Sequence, residues 1–200
     1  MLSGTKEGNG DFQWKLYELL CNYGGKEGDE MTKEEAVCKI KPDEGKKILD
    51  VTCGGRSIWF DKNHPAAVYC DKRKEEFEGL WKGSTRKCIV APDVICDFTK
   101  LPFEDNTFSL VVFDPPHLIS ARQTGWLVKK YGCLEVNWPD MLRDGFRECM
   151  RVLKPDGVLI FKWSEIQIPA DKVWKAIGQK PLFGHHSGKK SNTFWGCFMK

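Results

Sequence analysis

The chain lacks any apolar run close to the roughly 20 residues a membrane span needs. Its first residues, Met1 to Gly10, lack the apolar centre of a signal peptide. The expectation is therefore a cytoplasmic protein. No Cys-x-x-Cys pair occurs, so the nine cysteines do not spell a structural zinc site. Their odd number, the missing export signal and a chain long enough to build its own core argue against a disulfide scaffold. Cys70 and Cys96 sit beside apolar residues and read as small core residues with reduced thiols. Strong charge is missing too. The 31 Lys and Arg against 28 Asp and Glu leave a net charge of +3. That balance holds a phosphate backbone only where the positive charge is clustered. No internal repeat and no obvious linker divide the 200 residues, so one domain is the simplest organisation: an accessory segment over residues 1–45 and a catalytic core over 46–200.

Within the accessory segment, residues 1–10 are polar and carry glycine. Phe12, Trp14, Leu16, Tyr17, Leu19 and Leu20 are compatible with a helix that Gly24 and Gly25 end. Thr32 with Glu34 and Glu35 reads as a helix start, with Ala36, Val37 and Ile40 on one side. In the core, strand patterns alternate with helical ones. Strands are expected at residues 47–51, 67–70, 94–96, 110–113 and 157–163, with helical segments at 57–62, 72–81 and 141–153. The last has helical spacing at Met141, Leu142, Phe146, Met150 and Leu153. A polar turn between residues 181–184 and 193–199 reads as a hairpin. The expected fold class is α/β, a Rossmann-like, doubly wound and mostly parallel seven-stranded sheet closed by a C-terminal antiparallel hairpin.

Ligands of open α/β sheets bind at the C-terminal ends of the strands. The first strand ends at Asp50, followed by Val51, Thr52, Cys53, Gly54, Gly55 and Arg56. Paired glycines let the backbone turn tightly and approach a ligand. Asp71 ends the second strand, where an ionised carboxylate can accept bonds from two ribose hydroxyls. Asp97 follows the third strand and can take the amine of an adenine ring, with the apolar surface of Phe98 beside it. Each element alone reads equally as a turn or a helix cap. Together they resemble class I S-adenosylmethionine (SAM)-dependent methyltransferases, whose Asp-x-x-x-Gly-x-Gly turn is followed by acidic residues after the second and third strands. The resemblance implies SAM as cofactor, held by Asp50, Thr52, Cys53, Gly54, Gly55, Asp71, Asp97 and Phe98. Arg56 departs from it, standing where a second glycine is usual. It reads either as structural, paired with an acidic residue, or as lying near the carboxylate of SAM.

The fourth strand runs into Asp114, Pro115, Pro116 and His117, the most specific feature of the chain. Two prolines can simply end a strand. Their placement also suits chemistry on an amine: Asp114 and the Pro115 carbonyl can accept the two amine hydrogens, and proline holds these acceptors in place. His117 can stack on a base. The motif resembles the Asp/Asn-Pro-Pro-aromatic signature of amino-methyltransferases acting on nucleic-acid bases, and residues 49–61 together with it look like small phage- or prophage-associated enzymes. The resemblance covers residues 46–163 and implies catalytic roles for Asp114, Pro115, Pro116 and His117, with adenine in DNA as the favoured target and His117 in the place of the usual Tyr, Phe or Trp. RNA, protein or small-molecule amines are the alternative substrates. A non-catalytic SAM-fold subunit is a reading of a different class.

A duplex base would have to be flipped out. The 200 residues leave no room for a large recognition domain, so a partner subunit is expected as one way to supply specificity. The surface for nucleic acid is the loop from Leu118 to Asn137, with Arg122, Trp126, Lys129, Lys130 and Tyr131 interleaved; a solvated lid is the other reading of that loop. Lys72, Arg73 and Lys74 read as a solvated helix start. The turn holding His185, His186, Lys189 and Lys190 reads as phosphate contact, and no metal site is expected there or elsewhere.

Overall fold

A computed structural model describes residues 39–78, 87–119, 126–187 and 192–200. Apart from Ile40, the N-terminal elements expected before residue 41 lie outside these ranges, as do Arg122, Lys189 and Lys190. The described chain contains nine strands: β1 (Ile48–Asp50), β2 (Ala67–Asp71), β3 (Glu75–Phe77), β4 (Cys88–Val90), β5 (Val94–Ile95), β6 (Phe108–Phe113), β7 (Leu153–Ser164), β8 (Phe183–His186) and β9 (Thr193–Met199). Three helices accompany them: α1 (Trp126–Tyr131), α2 (Trp138–Val152) and α3 (Ala170–Ile177). Seven strands form one sheet in the order β5-β2-β1-β6-β7-β9-β8. The first five are parallel, and β9 runs antiparallel to both β7 and β8. This is the Rossmann-like α/β sheet expected, with its C-terminal hairpin, and the reversal of strand order between β1 and β6 opens the crevice where ligands of such sheets bind.

Every residue of β2 is buried, as befits a strand inside a parallel sheet. The long β7 alternates instead. Leu159, Phe161 and Trp163 are buried, while Ile160 and Lys162 are half-buried on the opposite face. Onto the first face pack α2, through Leu142, Gly145, Phe146, Cys149 and Val152, and α3, through Ala170, Val173, Trp174 and Ile177. These are helical spacings that place all the apolar groups on one stripe. Pro139 lies in the first turn of α2, and Gly178 closes α3 in the left-handed region at φ 78°.

Two expected helices are not formed. Residues 57–62 run through turns. Their bulky aromatic and β-branched side chains are poor helix formers. The Asp61 side chain accepts the Asn63 N–H at 2.9 Å, and the Arg56 guanidinium takes the Lys62 carbonyl at 2.7 Å. Of the helix expected over 72–81, the described residues 72–78 form none: Glu75 to Phe77 pair antiparallel with β4. The pairing brings Lys87 to Glu76 and Glu78 at 3.0 and 2.9 Å. His185 and His186, expected in a turn, lie in the edge strand β8. Residues 97–107 carry no helix and are pinned by Arg151, which donates to the Leu101 and Phe103 carbonyls and pairs with Glu148 and Asp105. Among the described residues no helix is long and apolar enough to cross a membrane. The seven described cysteines are free, five of them buried.

Candidate functional site

The strand ends converge on one open cavity of about 2000 Å³, more than a single small ligand fills. Eleven of the twelve residues named above line it: Thr52, Cys53, Gly54, Gly55, Asp71, Asp97, Phe98, Asp114, Pro115, Pro116 and His117. Asp50 is the exception. It lies beneath the loop, 1% exposed, and accepts the Trp59 indole N–H at 2.7 Å and the Thr52 backbone N–H at 3.3 Å. Burial pushes its carboxyl from 3.8 up to about 7, against these two hydrogen bonds. Burial likewise pushes the Cys53 thiol well up, which leaves it inert as a nucleophile.

The loop after β1 is held from both sides. Gly54 has φ +49°, and a Cβ there would meet no protein atom within 4 Å, because it would project into open space. Its N–H donates to Asp71 Oδ2 at 2.9 Å. Arg56 also sits in the left-handed region, at φ 53°, and its side chain settles the choice between its two readings. It donates to the carbonyls of Lys62 and Ala91, both at 2.7 Å, and to Asn63 and Asp93 at 3.1 and 3.3 Å. The guanidinium carbon stands 3.7 Å over the Tyr69 ring. Arg56 is a structural clamp that ties the loop to the segment before β5.

Asp71 Oδ1 accepts the backbone N–H and the side-chain Nε–H of Arg73, which also donates to the Lys129 carbonyl at 2.7 Å. Of the two carboxylate oxygens, Oδ2 is the one with capacity for a ribose hydroxyl. Lys72, Arg73 and Lys74 therefore do not start a helix, and Arg73 instead fastens α1 over the cavity. Asp97 Oδ1 accepts the Thr99 N–H and hydroxyl, and Oδ2 faces Lys72 at 3.3 Å. Burial would raise this carboxyl, but those donors hold it below the usual range. Lys72 is 64% exposed, so Oδ2 can exchange it for a ligand amine at little cost. Phe98 is buried against Phe113, with ring centroids 5.4 Å apart. It also packs on Gly145 of α2, where an added Cβ would come within 2.5 Å of its ring. Asp71 and Asp114 both lie near the Asp50 carboxyl and add to its upward shift, and each is paired with a cation, Asp71 with Arg73 and Asp114 with Lys162. The open space over Gly54 and the acceptors on Asp71 and Asp97 fit a nucleoside cofactor such as SAM.

Asp114 follows β6 directly, and its N–H donates to the Thr52 hydroxyl at 3.1 Å, joining the two loops. Its carboxylate meets a residue that sequence reasoning missed. Lys162 Nζ stands 2.5 Å from Asp114 Oδ2, each side chain 21% exposed. The Phe-Lys-Trp pattern in β7 announced that Lys162 faces away from the core, but not that its face carries Asp114. Burial raises the Asp114 carboxyl, opposed by Lys162. Burial lowers His117, which keeps its imidazole neutral near pH 7. The His117 ring lies 5.7 Å from Tyr131 and 6.4 Å from Trp163. Lys129, Lys130 and Tyr131 of the candidate nucleic-acid loop line the same cavity. His185 and His186 do not approach it as a pair, and His186 faces Glu165 at 3.5 Å. Among the described residues no group of three His, Cys, Asp or Glu is placed to hold a metal ion.

No protein-family model matches the chain. A ubiquinone/menaquinone biosynthesis C-methyltransferase of Paraburkholderia xenovorans is 27% identical over 111 residues, 54% of this chain and 38% of that relative. The chain thus matches well under half the length of this curated relative. Among solved structures, a protein of Pyrococcus horikoshii aligns with a TM-score of 0.49 at 18% identity, over 98% of this chain and 92% of the other. A SAM-dependent methyltransferase of Leishmania major aligns with a TM-score of 0.46 at 10% identity, over 94% and 72%.

Proposed function

We propose that the protein is a SAM-dependent methyltransferase acting on an exocyclic amine of a nucleic-acid base, with adenine in DNA the favoured target. One observation carries this reading. Asp114, Pro115, Pro116 and His117 open onto the cavity that also holds the Gly54 loop, Asp71 and Asp97, so an amine acceptor stands beside a nucleoside-cofactor pocket. When bound, SAM supplies an electrophilic methyl group. The chain's own part is to hold the amine. An Asp114 carboxylate oxygen accepts one amine N–H and the Pro115 carbonyl accepts the other, drawing the nitrogen lone pair out of the ring plane. The Thr52 hydroxyl fixes the backbone at Asp114, so the acceptor is in position before reaction. Neutral His117 offers a ring face for the base, and Lys129 and Lys130 suit the phosphates that follow it.

The C-methyltransferase name of the relative motivates a second reading, methylation of a small molecule. An amine presents N–H donors to the Asp114 carboxylate, which already accepts from Lys162, and this favours an amine over a carbon acid in the site. The test is transfer from SAM to oligonucleotides against transfer to small aromatic acceptors, wild type beside Asp114→Asn. Base methylation lost in the variant supports the proposal. Transfer to small acceptors alone overturns it.

A further inference from the structure

On β6 and β7, Phe113 pairs with Phe161, and the next step brings Asp114 beside Lys162. Lys162 pairs in turn with Trp195 on β9, and Trp195 with His185 on β8. Acid, cation and indole therefore follow one another in a row across the C-terminal ends of β6 and β7. Lys162 Nζ is 5.8 Å from the Trp195 ring centroid, which holds the lysine from the side opposite Asp114. Among the described residues, Asp114 Oδ1 accepts no side-chain or backbone donor, and Lys162 Nζ donates to Asp114 Oδ2 alone. An ammonium carries three N–H groups. The pair thus presents one open acceptor beside two open donors.

Resting on base-amine methylation at Asp114, we propose that Lys162 reads the substrate: it donates to the ring nitrogen next to the amine that Asp114 accepts from, so the site selects an amidine edge, an amino group beside an unprotonated ring nitrogen. Adenine offers that edge through its 6-amine and N1, and cytosine through its 4-amine and N3. Guanine carries a donor at N1 beside its 2-amine, and its other flanking nitrogen lies against the sugar. Thymine and uracil have no amine. Donor and acceptor are both partly withdrawn from water, where a missing partner costs more than in solvent. Lys162 acts on substrate choice by direct contact, whereas a lysine that only held Asp114 in place would lower activity on every amine alike.

The experiment uses the whole chain with SAM and oligonucleotides carrying adenine, cytosine or guanine. In matched oligonucleotides the ring nitrogen is replaced by CH (1-deazaadenine, 3-deazacytosine) and the amine is kept. Wild type is expected to methylate adenine or cytosine and to lose roughly 10- to 100-fold in kcat/KM on its deaza partner, the size of a hydrogen bond to a charged group. Lys162→Met is expected to lose that much on the natural base and to treat the two bases alike. Lys162→Arg, which keeps a donor, is expected to keep discriminating. Comparison across the variants cancels any change in the amine's own reactivity. SAM binding by calorimetry shows each variant folded; if Lys162→Met fails there, Lys162→Arg on the two bases decides. Equal use of natural and deaza bases by wild type, discrimination surviving in Lys162→Met, or methylation of guanine would each overturn the proposal. Failure of the underlying reading looks different: SAM binds, and wild type methylates no oligonucleotide at all.

Discussion

Removal of the Arg56 guanidinium tests whether this residue, standing where a glycine was expected, is the clamp of the cofactor loop. The two bonds to the Lys62 and Ala91 carbonyls, both 2.7 Å, should dominate, since hydrogen bonds from a charged donor contribute about 1.5–3 kcal/mol each. The Asp93 contact is 3.3 Å long with its acid 40% exposed, so it adds little. Stacking over Tyr69 adds about 0.5–1 kcal/mol, and the freed side chain recovers about 2 kcal/mol of rotamer entropy. Arg56→Ala should therefore cost about 2–4 kcal/mol, or roughly 5–12 °C in Tm for a chain this long. Backbone strain supplies an internal control. At φ 53° a Cβ costs about 1 kcal/mol that glycine avoids. Arg56→Gly should lose the same contacts and yet melt a few degrees above Arg56→Ala. Thermal denaturation followed by circular dichroism reads both, and calorimetry should show SAM affinity falling in step. An Arg56→Ala protein as stable as wild type, or one more stable than Arg56→Gly, would refute the clamp.

Three further outcomes follow from single contacts. Asp50 is raised from 3.8 to about 7, so the folded state holds its proton more tightly than the unfolded one. Its ionisation costs nothing below the lower value, erodes stability as pH rises between the two, and reaches about 4 kcal/mol above the upper one at about 1.4 kcal/mol per unit. The stability of Asp50→Asn relative to wild type should therefore increase from pH 4 to pH 8 in urea titrations, and a flat difference would contradict the burial of a charge there. Gly145→Ala places a Cβ 2.5 Å from the Phe98 ring; it should cost about 1–3 kcal/mol by overpacking, despite the better helix propensity of alanine, and calorimetry should show weaker SAM binding. His117→Ala should weaken oligonucleotide binding about tenfold by removing a stacking face, whereas His117→Phe should retain it, as fluorescence anisotropy would record.

The sheet was legible because its strands carry strong local patterns. Ala67 to Asp71 and Phe108 to Phe113 are apolar runs bounded by polar turns, and strand ends in Asp50, Asp71 and Asp114 mark the ligand edge. Eleven of the site residues meet in one cavity for that reason. What escaped depends on contacts distant in sequence. Residues 57–62 have no helix because Arg56 takes their carbonyl, and Glu75 to Phe77 form a strand because Ile89 and Val90 lie alongside. Lys162 was invisible as a partner of Asp114 because register between parallel strands is set by packing, not by a turn. Helix α3 was missed although Val173, Trp174 and Ile177 have helical spacing, because Pro169 and Gly178 bracket only eight residues.

The most direct test of amine methylation at Asp114 is transfer of labelled methyl from SAM to mixed DNA and RNA, wild type beside Asp114→Ala, with digested nucleosides read by mass spectrometry. The expected result is one methylated base amine in one polymer with wild type and none with the variant, while both proteins bind SAM. Equal methylation by wild type and Asp114→Ala would contradict it, as would a SAM-bound wild type that leaves both polymers unmodified.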